Sequence, residues 1–200
     1  MKRIILTIVL FLCLALVQVS SYKILYAEQY YKLYHQNLYQ YPEDFNGNIW
    51  YLEKAITRPF VNPLNALTVI ENQEVWERYR FLFYLHVNLK LVEQYRHLGS
   101  KYDKRKAYFF NEPWKEANLK SLDIAESYYI AAEYYWTEAL LWIDKLKDIK
   151  YFFLSDIQNW EDERFRIITG DLDYEEIIGM DLKRLQQVRE DYLAMDENTY

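Results

Sequence analysis

Apolar side chains recur at intervals of three and four residues along most of the chain after residue 25, which is typical of helices. Prolines and glycines are few and mark the ends of these segments. The predicted helices are 26–41, 49–57, 64–98, 113 to about 150, 155–168 and 181 to about 195, with a short capped turn at 171–178. Gly99 is the expected C-terminal cap of the third helix. The pattern therefore predicts an all-α fold.

Alanines repeat every seventh residue within the longest predicted helix. Ala125, Ala132 and Ala139 share one side of that helix and form a seam of small residues, where a second helix can approach closely. The expected partner is the 64–98 helix, through its stripe of Trp76, Tyr79, Phe83 and Val87. The Ala-x3-Tyr-x2-Ala spacing from Ala125 matches the second helix of a tetratricopeptide repeat, although the first-helix signature and the 34-residue period are missing. We expect a helical hairpin array with tetratricopeptide-like packing.

The N-terminal residues have the layout of an export signal. A basic head, Lys2 and Arg3, precedes the apolar run 4–17, and small polar residues follow up to residue 21. Residues 1–21 are therefore predicted to be a signal peptide, the alternative being an uncleaved anchor that associates with the inner membrane through residues 4–19. Residues 22–200 are then a single all-helical domain. Cys13 is the only cysteine and no Asn-x-Ser/Thr sequence is present, so a periplasmic protein of a bacterial envelope is expected.

Charge is divided unevenly along the domain. Residues 22–154 hold 17 acidic and 17 basic residues, whereas residues 155–200 hold 13 acidic and 5 basic ones. The C-terminal module from about residue 155 is thus acidic, either as a solvated surface or as a docking surface for a basic partner. A nucleic-acid partner is disfavoured because phosphate contacts require a basic face. A smaller basic patch, Lys101 and 104–106, is either a solvated loop or a contact for an anionic headgroup or an acidic neighbour, including the acidic end of another copy.

Residue patterns that carry chemistry are scarce. None of the three histidines lies in a Glu-x-x-His motif, and 4 glycines leave little room for a phosphate-binding loop. No metal site and no cofactor are expected. Glu161, Asp162 and Glu163 beside Trp160 are residue types found in a carboxylate-based hydrolase. Such an enzyme needs two carboxyl groups on either side of one bond, however, and consecutive helical residues point in different directions. A non-enzymatic protein is the favoured interpretation.

Aromatic residues are abundant, at 18% of the chain, and suit contact surfaces. Tyr128, Tyr135 and Trp142 are the first candidates for protein binding, on the assumption that they face away from the alanine seam. Trp160 with Glu161, Asp162 and Glu163 is the second candidate. The alternative function is an aromatic-lined module that binds a carbohydrate or peptide.

Several strings resemble a spirochaetal family of small exported helical proteins. They are LYHQNLYQYPEDF, NIWYLEKA, NPLNAL, WERYRFLFYLHVNLKLVEQYRHLGSKYD and FFNEPWKEANLKSL, and they fall within residues 33–122. Among such proteins are components of the collar of the periplasmic flagellar motor, some with tetratricopeptide-like packing. The resemblance implies a structural or adaptor protein of a periplasmic assembly, with other envelope or flagellar-motor proteins as partners. It carries over no functional residue.

Overall fold

The computed structural model describes residues 23–196, 198 and 199, so the predicted signal segment lies outside the described residues. The six α-helices of this part are α1 (Ala27–Gln40), α2 (Phe45–Thr57), α3 (Gln73–Tyr102), α4 (Lys115–Lys147), α5 (Gln158–Thr169) and α6 (Tyr174–Leu193). Short 3₁₀ helices occupy Pro63–Asn65, Phe109–Trp114 and Ser155–Ile157. No strand occurs in the described residues, which confirms the all-α prediction.

The two long helices α3 and α4 form the centre of the molecule and share its most extensive helix–helix interface. Helix α2 packs on α3, α1 packs on α2, α5 lies against α3, and α6 lies against α4. The 30 residues of α3 span about 45 Å at 1.5 Å per residue. One end of this pair carries the loops 58–72 and 148–157, and the opposite end carries the 103–114 connection.

Helix α3 begins and ends later than predicted. Residues 58–72 form a loop because Asn62 caps the Pro63–Asn65 3₁₀ helix, and the Asn72 side chain then accepts a hydrogen bond from the Val75 amide to start α3. The prediction that Gly99 caps this helix was wrong, since α3 continues through Gly99 to Tyr102.

The C-terminal module holds two helices in place of the predicted three segments. Gly170, with φ of 81°, ends α5 as expected. The predicted break between residues 178 and 181 was wrong. The Asp173 carboxylate caps the amides of Glu175 and Glu176, and α6 then runs uninterrupted through Gly179 and Asp181.

The alanine seam is a buried face of α4 that meets α3 at Ala125. Ala125, Ala132 and Ala139 are completely buried. Opposite Ala125, a Cβ built on Gly99 would lie 3.3 Å from the Ala125 carbonyl oxygen, so the two backbones approach closely there. The aromatic stripe of α3 does not face this seam, contrary to the prediction. The Phe83 ring instead lies 5.5 Å from that of Tyr31 on α1 and 5.8 Å from that of Trp160 on α5.

Candidate protein-interaction surface

The three aromatic residues predicted to bind a partner from α4 instead pack on α3. Trp142 stacks on Tyr84 with ring centroids 4.4 Å apart, and Tyr135 stacks on Tyr95 at 5.4 Å. Tyr128 lies 5.7 Å from Tyr102. Each follows a seam alanine by three residues, which places it only about 60° farther around the helix. The prediction that Tyr128, Tyr135 and Trp142 face away from the seam was therefore wrong.

The second predicted surface, at the start of α5, is also largely internal. Trp160 is buried, with its ring stacked on the His86 imidazole at 5.0 Å. Glu161 is 4% exposed and accepts a 2.5 Å hydrogen bond from Nε of Arg78, itself 1% exposed. The Arg78 guanidinium also donates from Nη1 to the carbonyls of Ile149 and Lys150. Trp160 and Glu161 were thus wrongly predicted as contact residues, because this face of α5 packs on α3.

Asp162 and Glu163 have different surroundings. Asp162 is exposed and accepts a hydrogen bond from the Gln158 amide at 3.1 Å. Glu163 points inward, where Oε2 lies 2.5 Å from His86 Nδ1 and Oε1 lies 3.3 Å from Lys90 Nζ. Of the four residues in this predicted surface, only Asp162 is open to solvent, so the prediction was also wrong for Glu163.

His86 is the centre of a buried polar chain that joins three helices. Its Nδ1 donates to the carboxylate of Glu163 on α5, and the hydroxyl of Tyr31 on α1 lies 2.8 Å from its Nε2. Burial raises the pKa of Glu163, but the hydrogen bonds and charges of His86 and Lys90 outweigh burial and hold that pKa below its ordinary value. The same carboxylate and Glu93 raise the pKa of Lys90 in spite of its burial. Both groups are therefore ionised at neutral pH.

A hydroxyl, an imidazole and a carboxylate in sequence are the groups of an acid–base relay. Here the Tyr31 and His86 side chains are both buried, and the rings of Trp160 and His35 cover them. A substrate in solvent does not reach these groups in this structure. Among the described residues no group of three or more His, Cys, Asp or Glu side chains is arranged to hold a metal ion.

Four exposed aromatic residues lie in the 103–114 connection, at one end of the α3–α4 pair. Tyr108, Phe109, Phe110 and Trp114 flank and form the 3₁₀ helix between the two long helices, and all four are exposed. The Tyr108 and Phe110 rings stack at 5.2 Å, and Phe109 meets Phe110 edge-on at 5.5 Å. Three of the rings thus contact one another, and Trp114 lies exposed at the end of the same short segment. We call these four aromatic residues, together with Lys104, Arg105 and Lys106, the tip surface.

Contacts with the neighbouring helices hold this segment in place. The Asn111 side chain accepts hydrogen bonds from the Tyr108 amide and, at 3.4 Å, from the Tyr192 hydroxyl of α6. Lys115 donates to the carbonyls of Leu193 and Met195, at the end of α6. The aromatic side chains are thus displayed from a supported turn, which lowers the entropy lost when a partner orders them.

The cationic side chains of the tip surface have no anionic partner among the described residues. Lys104, Arg105 and Lys106 form no ion pair with any described residue, although the Lys106 ammonium lies 5.5 Å from the centre of the Tyr108 ring. Aromatic rings beside unpaired cations can bury apolar area and also attract an acidic partner.

The basic patch was predicted from the sequence, but the exposed aromatic residues that follow it were not predicted to belong to the same surface. The available signal was the string KRKAYFFNEPW, in which three cations and four aromatic residues fall within eleven positions that lack a helical apolar period. His86 lies in no Glu-x-x-His motif, so its sequence context predicts no metal site. Its position on the Tyr79–Phe83 stripe nevertheless implied a buried imidazole that needs polar partners.

The described part is an all-α protein with four exposed aromatic residues in one short segment at an end of its central helix pair. Residues 74–195 match the model of a domain of unknown function, DUF8513, and the chain belongs to that family. The match covers α3–α6 and leaves α1 and α2 outside it. No curated protein and no solved structure matches the chain. None of the described helices combines the length and apolar character needed to cross a membrane.

Proposed function

We propose that this protein is a non-enzymatic adaptor of the bacterial cell envelope that docks another protein on its tip surface. The observation that carries the proposal is the exposure of Tyr108, Phe109, Phe110 and Trp114 on one supported segment beside unpaired cations. Aromatic residues in such clusters supply much of the binding energy of protein interfaces. The exposed residues, rather than the buried His86 chain, are the ones that a partner can reach.

The proposed location is the periplasm, with residues 1–21 acting as a signal peptide or an inner-membrane anchor. The basic head, the apolar run 4–17 and the small residues after it support export. The resemblance to spirochaetal exported proteins favours an assembly such as the collar of the flagellar motor. The α1–α2 and α3–α4 pairs support tetratricopeptide-like packing, whereas α5 and α6 pack on the central pair rather than on each other.

The experiment that tests this function compares two equally exposed phenylalanines. Phe109 on the tip surface and Phe165 on α5 are each 63% exposed. Tagged full-length protein with Phe109→Ala or Phe165→Ala is expressed in the native bacterium, cross-linked and purified from the envelope fraction. We expect Phe109→Ala to lose partners that Phe165→Ala retains, with an unchanged helical far-ultraviolet spectrum. Equal recovery of partners by the two variants would refute the proposal.

A further inference from the structure

A groove separates the 103–106 loop from α6, directly beside the tip surface. It has a volume of about 620 Å³, with Arg105 and Lys106 on the loop side and Met180, Lys183 and Val188 among the α6 residues. A second cavity of about 410 Å³ adjoins it and shares Arg105 and Arg184. The groove and the tip surface thus have Arg105 and Lys106 in common.

The acidic residues of the inner cavity are already paired. Asp103 accepts hydrogen bonds from the Tyr129 hydroxyl at 3.0 Å and from Arg184. Asp181 pairs with Arg96 at 2.8 Å and with Arg184 at 3.0 Å. Burial lowers the pKa of Arg184, but the hydrogen bonds and charges of Asp103 and Asp181 raise that pKa by a larger amount. The pKa therefore lies above its ordinary value, and the guanidinium stays charged. Its buried Nε nevertheless has no acceptor among the described residues.

Three further cations in the groove have no anionic partner. Arg105, Lys106 and Lys183 form no ion pair with any residue of the described chain. Glu190 and Asp191 also line the groove and accept hydrogen bonds from the neutral side-chain amides of Gln186 and Gln187. The three unpaired cations therefore outnumber the two carboxylates, so the groove is basic although the C-terminal module beside it is acidic as a whole.

We propose that this groove binds an acidic polypeptide segment of the protein that docks on the tip surface, with its carboxylates on Arg105, Lys106 and Lys183. This inference rests on the proposed function and names the chemistry of its partner. Charge complementarity selects an anionic occupant. Exposed Met180 and buried Val188 also line the groove and suit a polypeptide with apolar side chains between its acids. Continuity with the exposed aromatic cluster favours a protein over a free anion.

The test uses the full-length chain in neutral detergent and two probes, a fluorescein-labelled pentaglutamate peptide and inorganic phosphate. We expect saturable binding of the peptide that weakens as ionic strength rises. Lys183→Gln and Arg105→Gln should each weaken it about three- to tenfold. The matched controls are Lys120→Gln on α4 and Arg166→Gln on α5, which remove the same charges from exposed side chains without an ion pair in the described chain.

The results with the two probes distinguish binding of an acidic segment from binding of a small anion and from an effect of net charge. Weaker peptide binding in the groove variants alone supports the proposal. Equal loss in the control variants would reduce the effect to net charge, and saturable binding of phosphate without the peptide would assign the groove to a small anion; either result overturns it. Absence of saturable binding of both probes overturns it too. Phe109→Ala leaves all groove cations in place, so docking on the aromatic residues and binding of an acidic segment in the groove can fail separately.

Discussion

Arg78 carries its charge into the α3–α5 interface, where Glu161 is its only carboxylate partner among the described residues. Removing one member of a buried ion pair leaves the other charge without compensation. We therefore expect Glu161→Ala to lower the free energy of unfolding by about 3–5 kcal/mol. Urea denaturation followed by circular dichroism measures the loss.

The adjacent residue supplies the control for this prediction. Asp162 is exposed and accepts a single hydrogen bond from Gln158, so Asp162→Ala should change stability by less than about 0.5 kcal/mol. If the two variants are equally stable, the Arg78–Glu161 pair does not hold α5 on α3.

Glu163 should make stability depend on pH. Its pKa in the folded state lies below the ordinary value of 4.5, so its ionised form stabilises the fold above that pH, and the contribution is lost as pH falls through the lowered pKa. Glu163→Gln should cost about 2 kcal/mol at neutral pH and progressively less below pH 4.5, because the native carboxyl then becomes neutral too. Urea titrations of both proteins across this range measure the difference. A difference that does not change with pH would contradict this assignment.

Residue patterns alone could not separate Glu161 from Asp162. Helix α5 has charged residues on several sides, so its periodicity does not indicate which side is buried. The packing of α5 on α3 identifies the buried charges, because it places Arg78 opposite Glu161 and His86 opposite Glu163. In contrast, the α4 aromatic residues were predictable, since a residue three positions after a buried alanine lies on nearly the same face.

At the scale of the helix, the two internal glycines of α3 and α6 are predicted to respond oppositely to the same substitution. A Cβ at Gly99 would lie 2.8 Å from Cε1 of the buried Tyr129 ring, whereas a Cβ at Gly179 would meet nothing within 4 Å. We expect Gly99→Ala to cost about 1–3 kcal/mol through crowding. Gly179→Ala should add about 0.5–1 kcal/mol through helix propensity.

Urea unfolding of the two glycine variants measures both effects under one set of conditions. Stabilisation by both would mean that α3 and α4 separate at little cost near Gly99, contrary to close packing along the seam.

Helix existence was predictable from the apolar period, while helix ends were not. Gly99 fits the sequence pattern of a cap, but the absence of a side chain there instead allows Tyr129 of α4 to pack closely on α3. The sequence of α3 alone does not show this contact. Gly179 and Asp181 likewise resemble a boundary, yet α6 passes through both because its apolar residues Ile178, Leu185 and Val188 are buried together.

At the scale of the whole molecule, the two ends of the central helix pair differ in what they present. The backbone amide of Ala27 donates to the Pro59 carbonyl at 2.9 Å, and the Val61 amide donates to Glu28 at 3.0 Å. The described chain therefore begins beside the 58–72 loop. The tip surface lies at the other end of α3, about 45 Å away. No pattern in the sequence predicts this separation, because it depends on α1 running parallel to α3.

This separation predicts an orientation if residues 4–19 are kept as a membrane anchor, which is one form of the proposed location. Residues 20–22 span at most about 11 Å, so the 58–72 loop stays near the bilayer while the tip surface points away from it. In a Cys13→Ser background, a fluorophore on Leu64→Cys should be quenched by nitroxide lipids in vesicles that contain the full-length chain. A fluorophore on Phe109→Cys should not be. Tyr39→Cys is the control for exposure, since Tyr39 and Leu64 are each 90% exposed but Tyr39 lies near the end of α1 away from the loop. Quenching at Phe109 equal to that at Leu64 would place the tip surface on the membrane and leave it unable to reach a partner beyond it.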